Sequence, residues 1–237
     1  MNLQEKYYTK RLYPFQDGVL NIVKKLKTDF YLTGGTALSR GYFRHRYSDD
    51  LDLFMNNRDD YSQTVQLLLK EFEKAQKNGV FLIDHSRLQK YENYTQFMLQ
   101  KKIEDEEIFL KVDVVNDIAT RYGDLHYDNL LGAIDSWRNI LSNKIAAIFR
   151  YEAKDIADIW IISKQKRFDW KIMVEEAKTK EAAVDPVTLF EILKSFPETE
   201  LAYVKWIIPV DSGAFKKDLD EIAEDILHGN QNTLAKE

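Results

Sequence analysis

The stretch FYLTGGTALSRGYFRHRYSDDLDLF, residues 30–54, carries the densest pattern in the chain. Phe30-Tyr31-Leu32 reads as a short strand that delivers Gly34-Gly35, and a helical run, Thr36–Tyr42, follows at once. Glycines at such a turn let backbone amides come close to a ligand, and a helix N-terminus favours anions. A turn that simply needs glycine is the alternative. Asp50-Leu51-Asp52-Leu53-Phe54 then reads as the next strand, extending to Met55. Alternate residues of a strand share a face, so Asp50 and Asp52 point one way while Leu51 and Leu53 point into a core. Adjacent carboxylates repel, and burial raises their pKa values unless a cation compensates. A hard divalent ion such as Mg²⁺, bridging carboxylates to the phosphates of a nucleotide, meets that need. The competing reading is a solvated edge strand.

Further along, Ile108–Val115 alternates so that Asp113 shares a face with Phe109, Lys111 and Val115, opposite Leu110, Val112 and Val114. An acid there is costly unless it is paired or metal-bound. Either Lys111 or another base neutralises it, or Asp113 joins Asp50 and Asp52. Three carboxylates on neighbouring strands could hold two ions, one activating an attacking hydroxyl and the other stabilising a leaving phosphate. On a helical wheel Lys144 falls inside the apolar stripe Trp137, Ile140, Leu141, Ile148 and Tyr151. It either snorkels to water or points into a cleft at phosphate or carboxylate. Asp155 and Asp158 are helical neighbours in an otherwise apolar segment. Asp155 sits near a helix start, where the macrodipole favours it. Asp158 needs a partner, with Lys144 and Arg150 the nearest choices.

The helical runs Gln16–Lys27 and Ser62–Gln76 and the strand Val80–Asp84, after the turn Asn78-Gly79, join these strands with Tyr94–Gln100. After about residue 130 the texture turns helical, with runs at 135–150, 154–163, 170–179, 186–195 and 216–227; Asp185-Pro186 marks a start and Gly229 a stop. The expected organisation is an α+β chain: residues 1–130 as an α/β domain, and 131–237 as a helical domain completing an active-site cleft.

Composition closes off other chemistries. The 237 residues contain no Cys, which excludes disulfides, thiolate nucleophiles and Cys-ligated zinc. The four His, at 45, 85, 126 and 228, show no ligand spacing. A net charge of −5 is neutral on the question of nucleic acid, leaving a local track of Arg40, Arg44, His45, Arg46, Arg58 and Lys101-Lys102 to suggest phosphate contacts. No apolar run approaches the ~20 residues of a membrane span, and the first residues lack a secretory h-region. The expectation is a cytoplasmic protein with no membrane partner.

Taken in order, Gly34-Gly35-Thr36-Ala37-Leu38, Arg46-x-Ser48-x-Asp50-x-Asp52-Leu53, Lys111-x-Asp113 and Lys144…Arg150…Lys154-Asp155-x-x-Asp158 resemble the AbiEii/AbiGii toxin family. These are bacterial nucleotidyltransferases with the DNA polymerase β-like fold, a mixed sheet flanked by helices, here followed by a helical C-terminal region. The resemblance runs through residues 30–163. It implies Mg²⁺-dependent transfer of a nucleoside monophosphate from an NTP to an acceptor, which in some relatives is the 3′ end of tRNA, within a toxin–antitoxin or abortive-infection system, where a cognate antitoxin is a possible partner. Carried over, Gly34, Gly35, Thr36, Arg46 and Ser48 would bind the nucleotide. Asp50, Asp52 and Asp113 would hold one or two ions, Lys144 would contact nucleotide, and Asp155 would support catalysis. Gly-Gly replaces the Gly-Ser common among such enzymes, so Thr36 or Ser48 must supply any hydroxyl. Lys154 stands where Arg is common, without its planar fork. Two other readings remain: a small-molecule nucleotidyltransferase of the aminoglycoside-modifying kind, and a catalytically silent nucleotide-binding partner protein.

Overall fold

The computed structural model describes residues 2–235 and divides the chain into two compact units. The first holds the chain up to Ala37 together with Asp49–Ile118 and Leu125–Asp135; the second holds Leu38–Ser48, Ala119–Asp124 and the chain from Ser136 onward.

The first unit opens with helix α1 (Leu3–Tyr7), a π-helical turn (Tyr8–Leu12) and α2 (Tyr13–Leu26). Pro14 stands at the start of α2, directly after the π-helical turn. Then come β1 (Tyr31–Thr33), the short helix α3 (Gly34–Thr36), β2 (Leu51–Asn56), α4 (Tyr61–Lys77), β3 (Leu82–Ile83), β4 (Gln89–Lys90), β5 (Tyr94–Ile103), β6 (Glu106–Asp117), β7 (His126–Asp128) and β8 (Gly132–Ile134). The sheet order is β3-β5-β6-β2-β1-β8-β7, with β4 pairing on β5. β2 and β6 are parallel, as are β1 and β8, and the other pairs are antiparallel. The expected mixed sheet is therefore present.

Period-two alternation decides which face is dry. Leu51, Leu53 and Met55 of β2, and Ile108, Leu110, Val112 and Val114 of β6, are buried, while their polar neighbours stay partly open. Helix α4 turns Val65, Leu68 and Phe72 inward, and Phe72 meets Phe97 of β5 edge-on at 5.2 Å and Phe81 at 5.6 Å. The other face carries Asp52 of β2 and Lys111 and Asp113 of β6, with Asp50 immediately before β2.

The second unit contains α5 (Trp137–Ala146), α6 (Ala153–Gln165), α7 (Trp170–Lys178), α8 (Pro186–Ser195) and α9 (Ser212–His228), with 3₁₀ turns at Ile148–Arg150 and Glu198–Tyr203. Asp185 caps α8 by accepting from the N–H groups of Val187 and Thr188, Pro186 occupies its first turn, and Gly229 ends α9 at φ +63°. Trp160 of α6 packs against Phe215 of α9 at 4.9 Å and Trp206 at 5.8 Å. The segment Leu38–Ser48 is pinned into this unit by backbone: Tyr47 N–H donates to the Lys205 carbonyl at 2.8 Å, and Ile207 N–H to the His45 carbonyl at 2.9 Å. The sequence placed a helical region from residue 131, whereas Gly132–Ile134 is a strand hydrogen-bonded beside β1. Among the described residues, no helix is long and apolar enough to cross a membrane.

Candidate active site

The register of the sheet lines up Thr33 of β1, Asp52 of β2, Asp113 of β6 and Gln96 of β5 in one row. Gly34 follows Thr33 at φ +66°, a left-handed conformation that only glycine adopts without strain. A Cβ built on Gly34 would collide with Oδ2 of Asp52 and lie 3.2 Å from its Cγ. The glycine turn and the second aspartate are thus fitted to one another by direct contact. Thr36 tightens the same junction, its hydroxyl donating to the Asp50 carbonyl at 2.5 Å. Upstream, the phenol of Tyr8 donates to Asp49 Oδ1 at 2.5 Å and the amide of Gln16 to the Asp49 carbonyl at 3.0 Å. The entry into β2 is therefore fixed from two sides.

Charge on this face is unevenly balanced. Burial pushes the Asp50 carboxyl above its ordinary pKa, and Lys111, 3.4 Å away, offsets only part of that. Lys111 sits closer to Asp113, with Nζ 2.7 Å from Oδ2. Burial alone would lower the Lys111 pKa, but the bond to Asp113 and the charges of Asp50, Asp113 and Asp52 outweigh it and raise it. The Tyr94 hydroxyl donates to Asp113 Oδ1 at 3.0 Å, and burial together with that carboxylate pushes its pKa up to about 12. Both oxygens of Asp113 are therefore engaged, and Lys111 is held by both Asp50 and Asp113. Among the described residues, no three acidic or His side chains gather closely enough to cage an ion. The oxygen donors that suit a hard divalent cation are Asp50 and Asp52. Burial is the chief cause of the raised Asp50 pKa, and a cation bound there would favour its charged form.

The remaining residues singled out by sequence belong to the helical unit. Lys144 is buried, and its ammonium lies 2.5 Å from Asp155 Oδ1 and 2.9 Å from Asp158 Oδ2. Arg46 grips Asp158 with both arms, Nε to Oδ1 at 2.8 Å and a terminal nitrogen to Oδ2 at 2.7 Å. His45 Nε2 meets the same Oδ1 at 2.8 Å. Arg150 reaches Asp155 at 3.2 Å, so it serves Asp155 and not Asp158. Burial would raise the Asp158 carboxyl, but Arg46, Lys144 and His45 overcome it and hold it well below the carboxylate range. Lys144 is raised although burial opposes this, because Asp158 and Asp155 face it. Burial lowers His45 in spite of Asp158, with Arg46 and Lys144 adding to the effect. Asp155 and Asp158 already face Lys144, Arg46 and Arg150, so a further positive charge on buried His45 is disfavoured. Its Nδ1 has no hydrogen-bond partner among the described residues. Ser48 is buried one residue before Asp49.

The structure thus brings Gly34, Gly35, Thr36, Asp50, Asp52 and Asp113 together in the sheet unit, and Arg46, Ser48, Lys144 and Asp155 fall in the helical unit. The expected phosphate track is corrected at two positions: His45 and Arg46 are buried and bonded to Asp158. Arg58 is likewise paired, with Asp29 and Asp60. Tyr94 escaped the sequence reading, since a strand tyrosine carries no spacing signal. Its place opposite Val115, two residue pairs from Asp113, comes from the register alone.

Gly34→Ala is expected to cost about 1–3 kcal/mol, from the left-handed backbone and the clash with Asp52; a urea midpoint equal to that of the wild type would contradict this fit. For His45, the unfolded chain binds a proton below about pH 6.5 while the folded site resists it, so stability falls as pH drops from there. Asp158 contributes a term of the same sign at lower pH, present above about pH 3.9 and lost as pH falls through its depressed folded value. Melting temperatures between pH 7.5 and 5 should decline for wild type and decline less for His45→Gln. Equal slopes for the two proteins would refute a neutral buried His45.

Residues 21–227 match the family described as nucleotidyl transferase AbiEii toxin, type IV toxin–antitoxin system. No curated protein matches the chain. Among solved structures, JHP933 from Helicobacter pylori shares 20% identity at a TM-score of 0.60, covering 92% of this chain and 91% of its own. A candidate nucleotidyltransferase from H. pylori shares 20% identity at a TM-score of 0.59, covering 93% of this chain and 96% of its own. At that identity the likeness concerns the fold.

Proposed function

This chain belongs to the AbiEii nucleotidyltransferase toxin family of type IV toxin–antitoxin systems, and from that membership we propose that it transfers a nucleoside monophosphate from an NTP to an RNA acceptor, tRNA first among them, in the cytoplasm. The observation that carries the proposal is the contact between Gly34 and the Asp52 carboxylate, which places a backbone turn suited to phosphate directly against a strand acid. Asp50 and Asp52 would hold Mg²⁺. Bound there, the ion would neutralise triphosphate charge and polarise the phosphoryl oxygens.

The chain's own groups then divide the work. The backbone of Gly34, Gly35 and Thr36 receives the triphosphate, since the Thr36 hydroxyl is bonded to the Asp50 carbonyl. Asp113, steadied by Lys111 and Tyr94, takes the proton of the acceptor hydroxyl. Each of its oxygens still has a lone pair for this. The acceptor oxygen bonds to the α-phosphorus, the bridging bond to the β-phosphate breaks, and pyrophosphate leaves with the electron pair. Under this reading Arg46, Ser48, Lys144 and Asp155 contribute by fixing the shape of the helical unit. A cognate antitoxin is the partner that membership of a toxin–antitoxin family suggests.

Purified protein with Mg²⁺ and labelled NTPs, each supplied separately, is expected to label bulk tRNA. Asp52→Asn should lower the rate at least about a hundredfold, as loss of a group that acts on developing charge commonly does, while the melting temperature stays close to that of the wild type. Label appearing on a small acceptor but never on RNA would replace this proposal with the small-molecule reading. Nucleotide binding without transfer to either would leave a silent partner protein.

A further inference from the structure

An exposed aromatic pair adjoins Asp113 at the corner where β4 meets β5. Tyr91 is 65% exposed, and its ring stacks on Tyr94 at 6.1 Å with 24° between planes. Tyr94 in turn bonds Asp113 and lies 3.2 Å from Gln96 Oε1. The turn that presents Tyr91 is rigidly tied. Tyr91 N–H donates to the Tyr94 carbonyl at 2.7 Å, Asn116 N–H to the Asn93 carbonyl at 2.9 Å, and the Asn116 amide to Asn93 Oδ1 at 2.9 Å. Gln89, exposed, stands opposite Gln96 in the register. A lone surface tyrosine needs no explanation. One held in place by backbone, stacked on a ring that touches a site carboxylate and flanked by two amides, is a preorganised platform.

We propose that Tyr91, backed by Tyr94, is the acceptor platform: it stacks the base of an unpaired 3′-terminal nucleoside of RNA, so that the terminal hydroxyl lies at Asp113. The inference rests on the transfer reading above and adds the residue that would hold the acceptor's end. Every nucleobase has a π-face, so a tyrosine platform accepts any base, and the amides of Gln89 and Gln96 can meet its edge. A paired end stacks its bases on one another and offers no free face. The chemistry at that end is the step already given: the 3′-oxygen joins the α-phosphorus, pyrophosphate departs, and Asp113 receives the proton.

The test is steady-state labelling of bulk tRNA by the full chain, with the ends left unpaired or annealed to a complementary oligonucleotide. The loss of one stacked base predicts that Tyr91→Ala raises the KM for tRNA at least about tenfold. The KM for NTP should stay unchanged, Tyr91→Phe should behave as wild type, and annealed ends should label poorly. An unchanged tRNA KM in Tyr91→Ala overturns the platform while leaving the transfer reading intact. Tyr91→Phe failing as Tyr91→Ala does would also overturn it, since the hydroxyl and not the ring would then matter. Wild type that labels no tRNA at all removes the transfer reading and the platform with it.

Discussion

The backbone at residue 34 lies where it does only because it carries no side chain. Its left-handed φ of +66° and the Asp52 carboxylate packed against its Cα are two demands that glycine alone meets. From that contact the sheet unit's site follows. Thr33 pairs with Asp52, Asp52 with Asp113, and Asp113 with Gln96, so one row of the sheet runs from the turn to the β4–β5 corner. Burial of Asp50 then leaves a carboxylate that Lys111 only partly satisfies. A turn open to phosphate beside a face short of positive charge is the physical basis for reading a magnesium–triphosphate pocket here.

The helical unit meets charge burial differently. Lys144 and Arg46 face Asp155 and Asp158, and the bidentate grip of Arg46 supplies geometry that a lysine could not. Breaking such a set by removing one partner usually costs about 3–5 kcal/mol, because an uncompensated ion is left behind. His45 is the term that does not balance: neutral, enclosed, and with one ring nitrogen unpaired among the described residues. Asp50 in the sheet unit is part-exposed and shares Lys111 with Asp113, whereas Asp155 and Asp158 in the helical unit are enclosed by their cations.

Much of this was legible in the residues because local patterns carry it. Alternation in Leu51–Met55 and Ile108–Val115 identified the dry face and hence the direction of Asp50, Asp52 and Asp113. Asp185-Pro186 and Gly229 bounded their helices by capping chemistry. The apolar setting of Asp158 announced that a partner was needed, yet two of its partners, Arg46 and His45, lie 112 and 113 residues away in sequence and were read as surface cations. Nothing local distinguishes a buried arginine from a solvated one. β7 and β8, three residues each, are too short to show a period, and β8 is a strand through its parallel pairing with β1. Tyr91 and Tyr94 gained meaning only when the register set them beside Asp113.

The central claim is that the Gly34 turn and the β2 aspartates form one pocket for a metal-bound triphosphate. A crystal structure with Mg²⁺ and a non-hydrolysable NTP tests it most directly. The account predicts an ion bound by oxygens of Asp50 and Asp52, with the phosphates against the backbone of residues 34–36. Nucleotide bound elsewhere, with no ion at Asp50 and Asp52, would contradict it.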